Sequence, residues 1–138
     1  MNKFEQERLD KLNTERVERT KQRVAHAIVL IDNAIKCFVE GHGPKDLVAV
    51  VSHAINLLES AVEEMTWACD HFDWNDSVVD QMKAAIGDLG AGVAAVIRND
   101  DDDTVEAELN FLSGRETLGM VIATLVRWFD DNQDVSEL

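Results

Sequence analysis

Apolar residues recur every three or four positions along most of this 138-residue chain, and this spacing restricts the fold to helices. Strands of hairpin type would alternate apolar and polar residues, and no such stretch occurs. The sequence therefore predicts an all-α protein. The clearest apolar stripe comprises Leu47, Val51, Ala54, Leu58, Ala61 or Val62, Met65, Cys69 and Phe72.

Breaks in the stripes place the first three helices. The first is predicted from about Lys3 to Val39, although its apolar residues come into phase only from Val17 onward. Residues 41–44 (Gly-His-Gly-Pro) separate it from the second helix, because glycine favours helix ends and proline favours helix starts. Residues 73–76 (Asp-Trp-Asn-Asp) separate the second helix from the third.

The third helix contains three internal glycines, Gly87, Gly90 and Gly92. Each costs up to about 1 kcal/mol relative to alanine, so we expect a neighbouring helix backbone to approach closely there. Its predicted core stripe is Val79, Met82, Ile86, Leu89, Val93 and Val96.

The last third of the chain predicts either one helix or two. Val105, Leu109 and Leu112 are the expected core residues of a short fourth helix. Residues 113–116 (Ser-Gly-Arg-Glu) match a capping box, which predicts that the helix restarts or kinks there. The expected core residues of a fifth helix are Leu118, Ile122, Leu125 and Phe129. The predicted fold is a compact bundle of four to five helices.

Three regions follow from these patterns: a charged helical arm (1–16), a bundle domain (17–131) and an acidic tail (132–138). The arm has no good core-facing surface, so it either frays or pairs with another chain. Because so long a helix outruns a small domain, we expect pairing, and hence a homodimer. The residues expected at the dimer interface are Phe4, Leu9 and Leu12.

The charge of the chain is unevenly distributed. Residues 1–45 hold nine basic and seven acidic residues, whereas residues 46–138 hold four basic and twenty acidic ones. A net charge of −14 excludes unaided binding to nucleic acid or to an anionic membrane. The acidity serves solubility or growth at high salt, or it forms an anionic surface whose carboxylates, about 5–6 Å apart on a helix, imitate phosphates.

Trp67 stands opposite the core stripe of the second helix, among acidic residues. An exposed tryptophan of this kind is typical of an interface hot spot. The alternative is that another helix, such as the N-terminal arm, covers it. The residues expected to bind a partner are Trp67, Glu63, Glu64, Asp70, Asp73, Asp100, Asp101, Asp102 and Asp103.

No motif in the chain indicates catalysis. HExxH, GxSxG and Glu-x-x-His patterns are missing, and Cys37 and Cys69 are isolated, so we expect no metal, cofactor or enzyme activity. The chain also has no signal peptide and no apolar span, which predicts a cytoplasmic protein.

We therefore expect a non-enzymatic interaction module that binds a basic protein and blocks its nucleic-acid-binding site, as a DNA mimic does. The alternative is a helical scaffold, immunity or adaptor protein that acts through helix packing, with acidity serving solubility only. A metal-dependent bundle enzyme is a third, more remote reading.

Overall fold

The computed structural model describes most of the chain. Its backbone is described for residues 2–40, 44–71, 77–98 and 101–136. Side chains are described for residues 2–40, 45–67, 77–98 and 105–128. Within these ranges the structure is helical and contains no strand.

Four helices form the bundle: α1 (Lys3–Val39), α2 (Pro44–His71), α3 (Ser77–Arg98) and α4 (Asp101–Ser136). Short connections make consecutive helices antiparallel neighbours. Each helix packs against its neighbours in the chain, and α1 also contacts α4, which closes the ring. The all-α prediction is confirmed, with four helices rather than five.

The first helix begins where a polar cap allows it. Asn2 is the N-cap, and its side-chain Oδ1 accepts a hydrogen bond of 2.8 Å from the backbone N–H of Glu5. Val17 is the first fully buried residue, as the phase of the apolar stripe predicts. At about 1.5 Å per residue α1 is about 55 Å long and α4 about as long, whereas α3 is about 33 Å long.

The core is one cluster drawn from all four helices. In α2 it contains every described residue of the predicted stripe except Val62, which is half-buried beside Ala61. The largest fully buried side chains are Phe111, Ile31, Leu47, Leu58, Met65, Met82, Leu89, Leu118 and Leu125.

The predicted break at residues 113–116 is wrong, because α4 is one continuous helix. Its core stripe passes through the supposed break without losing phase. Ser113 does not cap a helix; its Oγ donates a hydrogen bond of 3.0 Å to Asp88 Oδ2 on α3. Gly114 is buried against Leu89. The buried residues of α4 are Ala107, Phe111, Gly114, Leu118, Val121 and Leu125.

The core assignment of Val105, Leu109 and Leu112 is also wrong, because their side chains are 60%, 61% and 43% exposed. They lie on the opposite side of α4 from the buried stripe, in which small residues hold two of the positions. Helix α4 also ends only at Ser136, so the backbone of most of the predicted tail (132–138) is helical.

The glycines of α3 differ from one another. A Cβ on Gly92 would lie 2.5 Å from Phe111 Cε1, so a side-chain ring of α4, rather than the expected helix backbone, lies close to this glycine. Gly87 and Gly90 have no atom within 4 Å of such a Cβ, so the same expectation is wrong for them. They face outward, and no packing contact offsets their helix-propensity cost.

Candidate interaction surface

Three arginines of α1 converge on one carboxylate of α2. Arg16 Nη1 lies 2.8 Å from Glu64 Oε2, and Arg19 Nε lies 3.0 Å from Glu64 Oε1. Arg23 Nη1 is 3.4 Å from the same Oε1 atom. Spacings of three and four residues place the arginines on one face of α1, so they lie over a single turn of the antiparallel helix. We call these four residues the Glu64 cluster.

The cluster shifts the pKa values of Glu64 and Arg19. Burial raises the pKa of Glu64, but the hydrogen bond from Arg19 and the charges of Arg19 and Arg16 outweigh it, so the net pKa lies below the usual glutamate value. The hydrogen bond to Glu64 raises the pKa of Arg19 above its usual value. The carboxylate of Glu64 is therefore held ionised at neutral pH as part of the fold.

Trp67 lies beneath the N-terminal arm. The Arg16 guanidinium carbon stands 3.7 Å above the centre of the indole ring, a cation–π distance, and Trp67 is half-buried. Helix α1 thus covers Trp67 in part, and the ring also lines the pocket described below. Arg16 thus joins the ion pair and the aromatic contact into one seam between α1 and α2.

A shallow pocket of about 370 Å³ opens beside this seam. Glu63 lies in its wall and is exposed, which leaves that carboxylate accessible. The full lining set is Arg16, Arg23, Ser60, Glu63, Glu64 and Trp67.

The structure describes the other residues expected to bind a partner only in part. Asp70 belongs to α2, and Asp101, Asp102 and Asp103 begin α4, but their side chains lie outside the described set. Asp73 and Asp100 lie outside the described residues altogether. The role of all nine residues in partner binding stays a prediction.

Some of the basic residues that follow position 45 form ion pairs within the bundle. Arg115 Nε lies 2.9 Å from Asp32 Oδ1, which joins α4 to α1 and raises the pKa of Arg115 through that hydrogen bond. Arg98 Nη2 lies 3.5 Å from Glu106 Oε2. Several carboxylates nevertheless stay exposed on α2, α3 and α4: Asp46, Glu59, Glu63, Asp80, Glu106 and Glu116.

A row of exposed apolar side chains on α4 is the feature that the sequence analysis missed. Their exposed fractions run from 42% to 61%. The sequence contains a signal, since Val105, Leu109 and Leu112 are large and spaced in helical phase, but the same spacing predicts core residues. We call this row the α4 outer stripe: Val105, Leu109, Leu112, Met120 and Val126.

The predicted dimer residues lie along one stretch of α1. Phe4 is 80% exposed and Leu12 41% exposed, whereas Leu9 is half-buried. Leu9 and Leu12 line a largely apolar depression of about 350 Å³ together with Glu5 and Arg8. No residue of α1 before Val17 is fully buried in the single chain.

Neither a metal site nor a membrane helix is found in the described part of the chain. No three described His, Cys, Asp or Glu side chains come close enough together to hold a metal ion. His26 and His53 meet edge to face across the α1–α2 seam, with ring centres 5.5 Å apart, but they are only two ligands. Every described helix falls short of the apolar length that a membrane crossing requires.

Comparison with known proteins gives no relative: no protein-family model matches the chain, and no curated protein or solved structure matches it significantly.

Proposed function

We propose that this protein is a non-enzymatic interaction module whose acidic body binds a basic protein. The observation that carries the proposal is the charge asymmetry: twenty acidic and four basic residues follow position 45. Mutual repulsion of so many carboxylates destabilises a compact fold, and faster or tighter association with a cationic partner offsets that cost.

The contacts between α1 and α2 determine which acidic residues near them stay accessible to a partner. Glu64 and Trp67 contact arginines of α1, so they hold the bundle together, and Glu63 is the accessible carboxylate beside them. Exposed carboxylates on α3 and α4 extend the anionic surface away from the seam. We propose that this wider surface meets the partner together with Trp67, whose half-buried ring lines the pocket beside the seam.

The basic protein is proposed to be one that binds nucleic acid. Carboxylates spaced by helical turns supply a dense negative charge comparable to that of a phosphate backbone. An acidic module of this kind competes with nucleic acid for a cationic groove.

Affinity capture followed by competition tests this function. The immobilised full chain is expected to retain basic proteins at low salt and to release them as salt rises. A captured protein is then mixed with labelled DNA or RNA, and the module is expected to displace the nucleic acid. Partners that are neither basic nor displaced by salt would contradict the proposal.

The alternative, a scaffold or adaptor that acts through helix packing, is favoured by one observation, the exposed apolar row on α4. It predicts a partner whose affinity changes little with salt.

We also propose that the arm (residues 1–16) pairs two copies of the chain. Its support is the exposure of Phe4 and Leu12, together with the fact that no described residue of α1 before Val17 is fully buried.

A further inference from the structure

We infer that the α4 outer stripe is the docking site for an amphipathic helix of the partner, with apolar residues on one face and Lys or Arg beside them. This inference rests on the proposed function and names the surface and the kind of partner. Its starting point is that α4 has two apolar faces, of which the bundle uses one.

The outer stripe occupies one side of the helix. At about 100° per residue, Val105, Leu109, Leu112, Met120 and Val126 fall within an arc of about 120°. The buried stripe of α4 is centred on the opposite side of the helix. Of the ten large apolar side chains exposed in the described part of the chain, five belong to this arc. Single exposed apolar residues are ordinary, but five on one side of a helix indicate a contact surface. Val105, Leu109 and Leu112 are adjacent, whereas Met120 and Val126 lie at opposite edges of the arc.

The length of the stripe fits a helical partner. From Val105 to Val126 it extends for about 32 Å, which is the length of a helix of about 20 residues. Spacings of four and three residues between Val105, Leu109 and Leu112 are those that interlock with the side chains of a second helix.

Charge identifies the partner helix as basic. Helix α4 contains nine acidic residues and two arginines, and one of these, Arg115, is paired with Asp32 of α1. Glu116 is exposed within the arc of the stripe, and the other arginine, Arg127, is exposed on the same side. Glu106 is exposed beside the arc and also pairs with Arg98 at 3.5 Å. A second copy of the chain would bring two such helices together, with like charges facing each other. A cationic helix instead places Lys or Arg beside these carboxylates.

The test uses two synthetic peptides of 21 residues as probes, a length taken from the stripe. The first has leucine at heptad positions a and d and lysine and alanine elsewhere. The second has the same composition with the leucines scattered around the helix. Each carries a fluorophore, and binding to the full chain is followed by anisotropy at low salt.

Substitution of two stripe residues is the decisive comparison. The double variant Leu109→Ser with Leu112→Ser is expected to weaken binding of the first peptide at least about tenfold, because two apolar contacts are lost. The matched control Val29→Ser removes an apolar side chain that is 55% exposed on α1, and it is expected to change affinity less than about twofold. Both variants alter exposed positions, so their circular dichroism is expected to match the parent chain.

Three results would overturn the inference. If both peptides bind equally, or if the double variant binds like the parent, binding depends on charge alone; the docking site is then wrong and the proposed function stands. If the double variant lowers the molar mass of the chain measured without peptide, a second copy occupies the stripe. If neither peptide binds even at low salt, the proposed function fails as well.

Discussion

The contact between Gly92 and Phe111 sets the spacing of α3 and α4. Phe111 is fully buried, and a Cβ at position 92 would lie within 2.8 Å of two of its ring atoms. Gly92 therefore provides the space that the largest fully buried side chain occupies. Gly87, one and a half turns earlier, has no neighbour and provides no such space.

Alanine at these two positions should have opposite effects. We predict that Gly92→Ala lowers the free energy of unfolding by about 1–3 kcal/mol, because the buried ring must move. Gly87→Ala is predicted to raise it by about 0.5–1 kcal/mol, because alanine loses less backbone entropy in a helix. Urea denaturation measures the free energy of unfolding of both variants. Equal changes would contradict the packing assigned to Gly92 and Gly87.

Glu64 links the stability of the bundle to pH. We predict that Glu64→Gln lowers the free energy of unfolding at pH 7 by about 1–2 kcal/mol, since Arg16, Arg19 and Arg23 lose a charged acceptor. A lowered pKa means that the carboxylate stabilises the fold at pH above its ordinary value of about 4.3. This contribution is lost as pH falls through the lower, folded-state value.

Denaturation at several pH values between 7 and 3 measures the difference in free energy of unfolding between Glu64→Gln and the parent chain. This difference should shrink as pH falls. The exposed neighbour provides the control, because Glu63→Gln is expected to change stability by less than about 0.5 kcal/mol. A difference that does not depend on pH would exclude the ion pairs as its cause.

Substitutions of Ser113 test whether this residue lies inside α4 or caps the start of a helix. At an N-cap, glycine is nearly as good as serine and better than alanine, whereas inside a helix alanine is better than glycine by about 1 kcal/mol. Because α4 is continuous, we predict that Ser113→Ala is more stable than Ser113→Gly by about 0.5–1 kcal/mol. Thermal or urea unfolding of the two variants gives the order, and the reverse order would indicate a helix start.

The contrast between α2 and α4 explains how far the sequence predicts this fold. In α2 the large apolar residues other than Trp67 gather on and beside the predicted stripe, so periodicity and burial agree. In α4 large apolar residues lie on two faces, and the buried face includes Ala107 and Gly114, which look unlike core residues. Side-chain size therefore predicts the wrong buried face of α4. Ser113 and Glu116 predict a helix break, but the core stripe continues through these positions and the helix is not interrupted.

Sequence patterns do not predict the contacts between α1 and α2, for a different reason. Arg16 and Glu64 are 48 positions apart, and which turn of α1 faces Trp67 depends on how two helices are aligned along their lengths. A usable signal is the repetition of Arg16, Arg19 and Arg23 on one face, since three neighbouring positive charges favour an acidic partner.

At the scale of the whole molecule, a charge-balanced arm joins a strongly acidic body. Residues 3–16 include exposed apolar side chains that no described part of the single chain covers completely. If the arm pairs two copies, the double variant Phe4→Ser with Leu12→Ser is predicted to halve the molar mass measured by light scattering. A single-chain mass for both proteins would contradict the dimer.

The acidic body is proposed to attract its partner through charge, and the affinity for the leucine–lysine peptide measured against salt concentration tests this most directly. Between about 50 and 500 mM NaCl we predict a fall in affinity of at least about tenfold, with a smaller fall for Glu106→Gln combined with Glu116→Gln. An affinity that stays constant over this range would contradict the account, because charge would then play no part in binding.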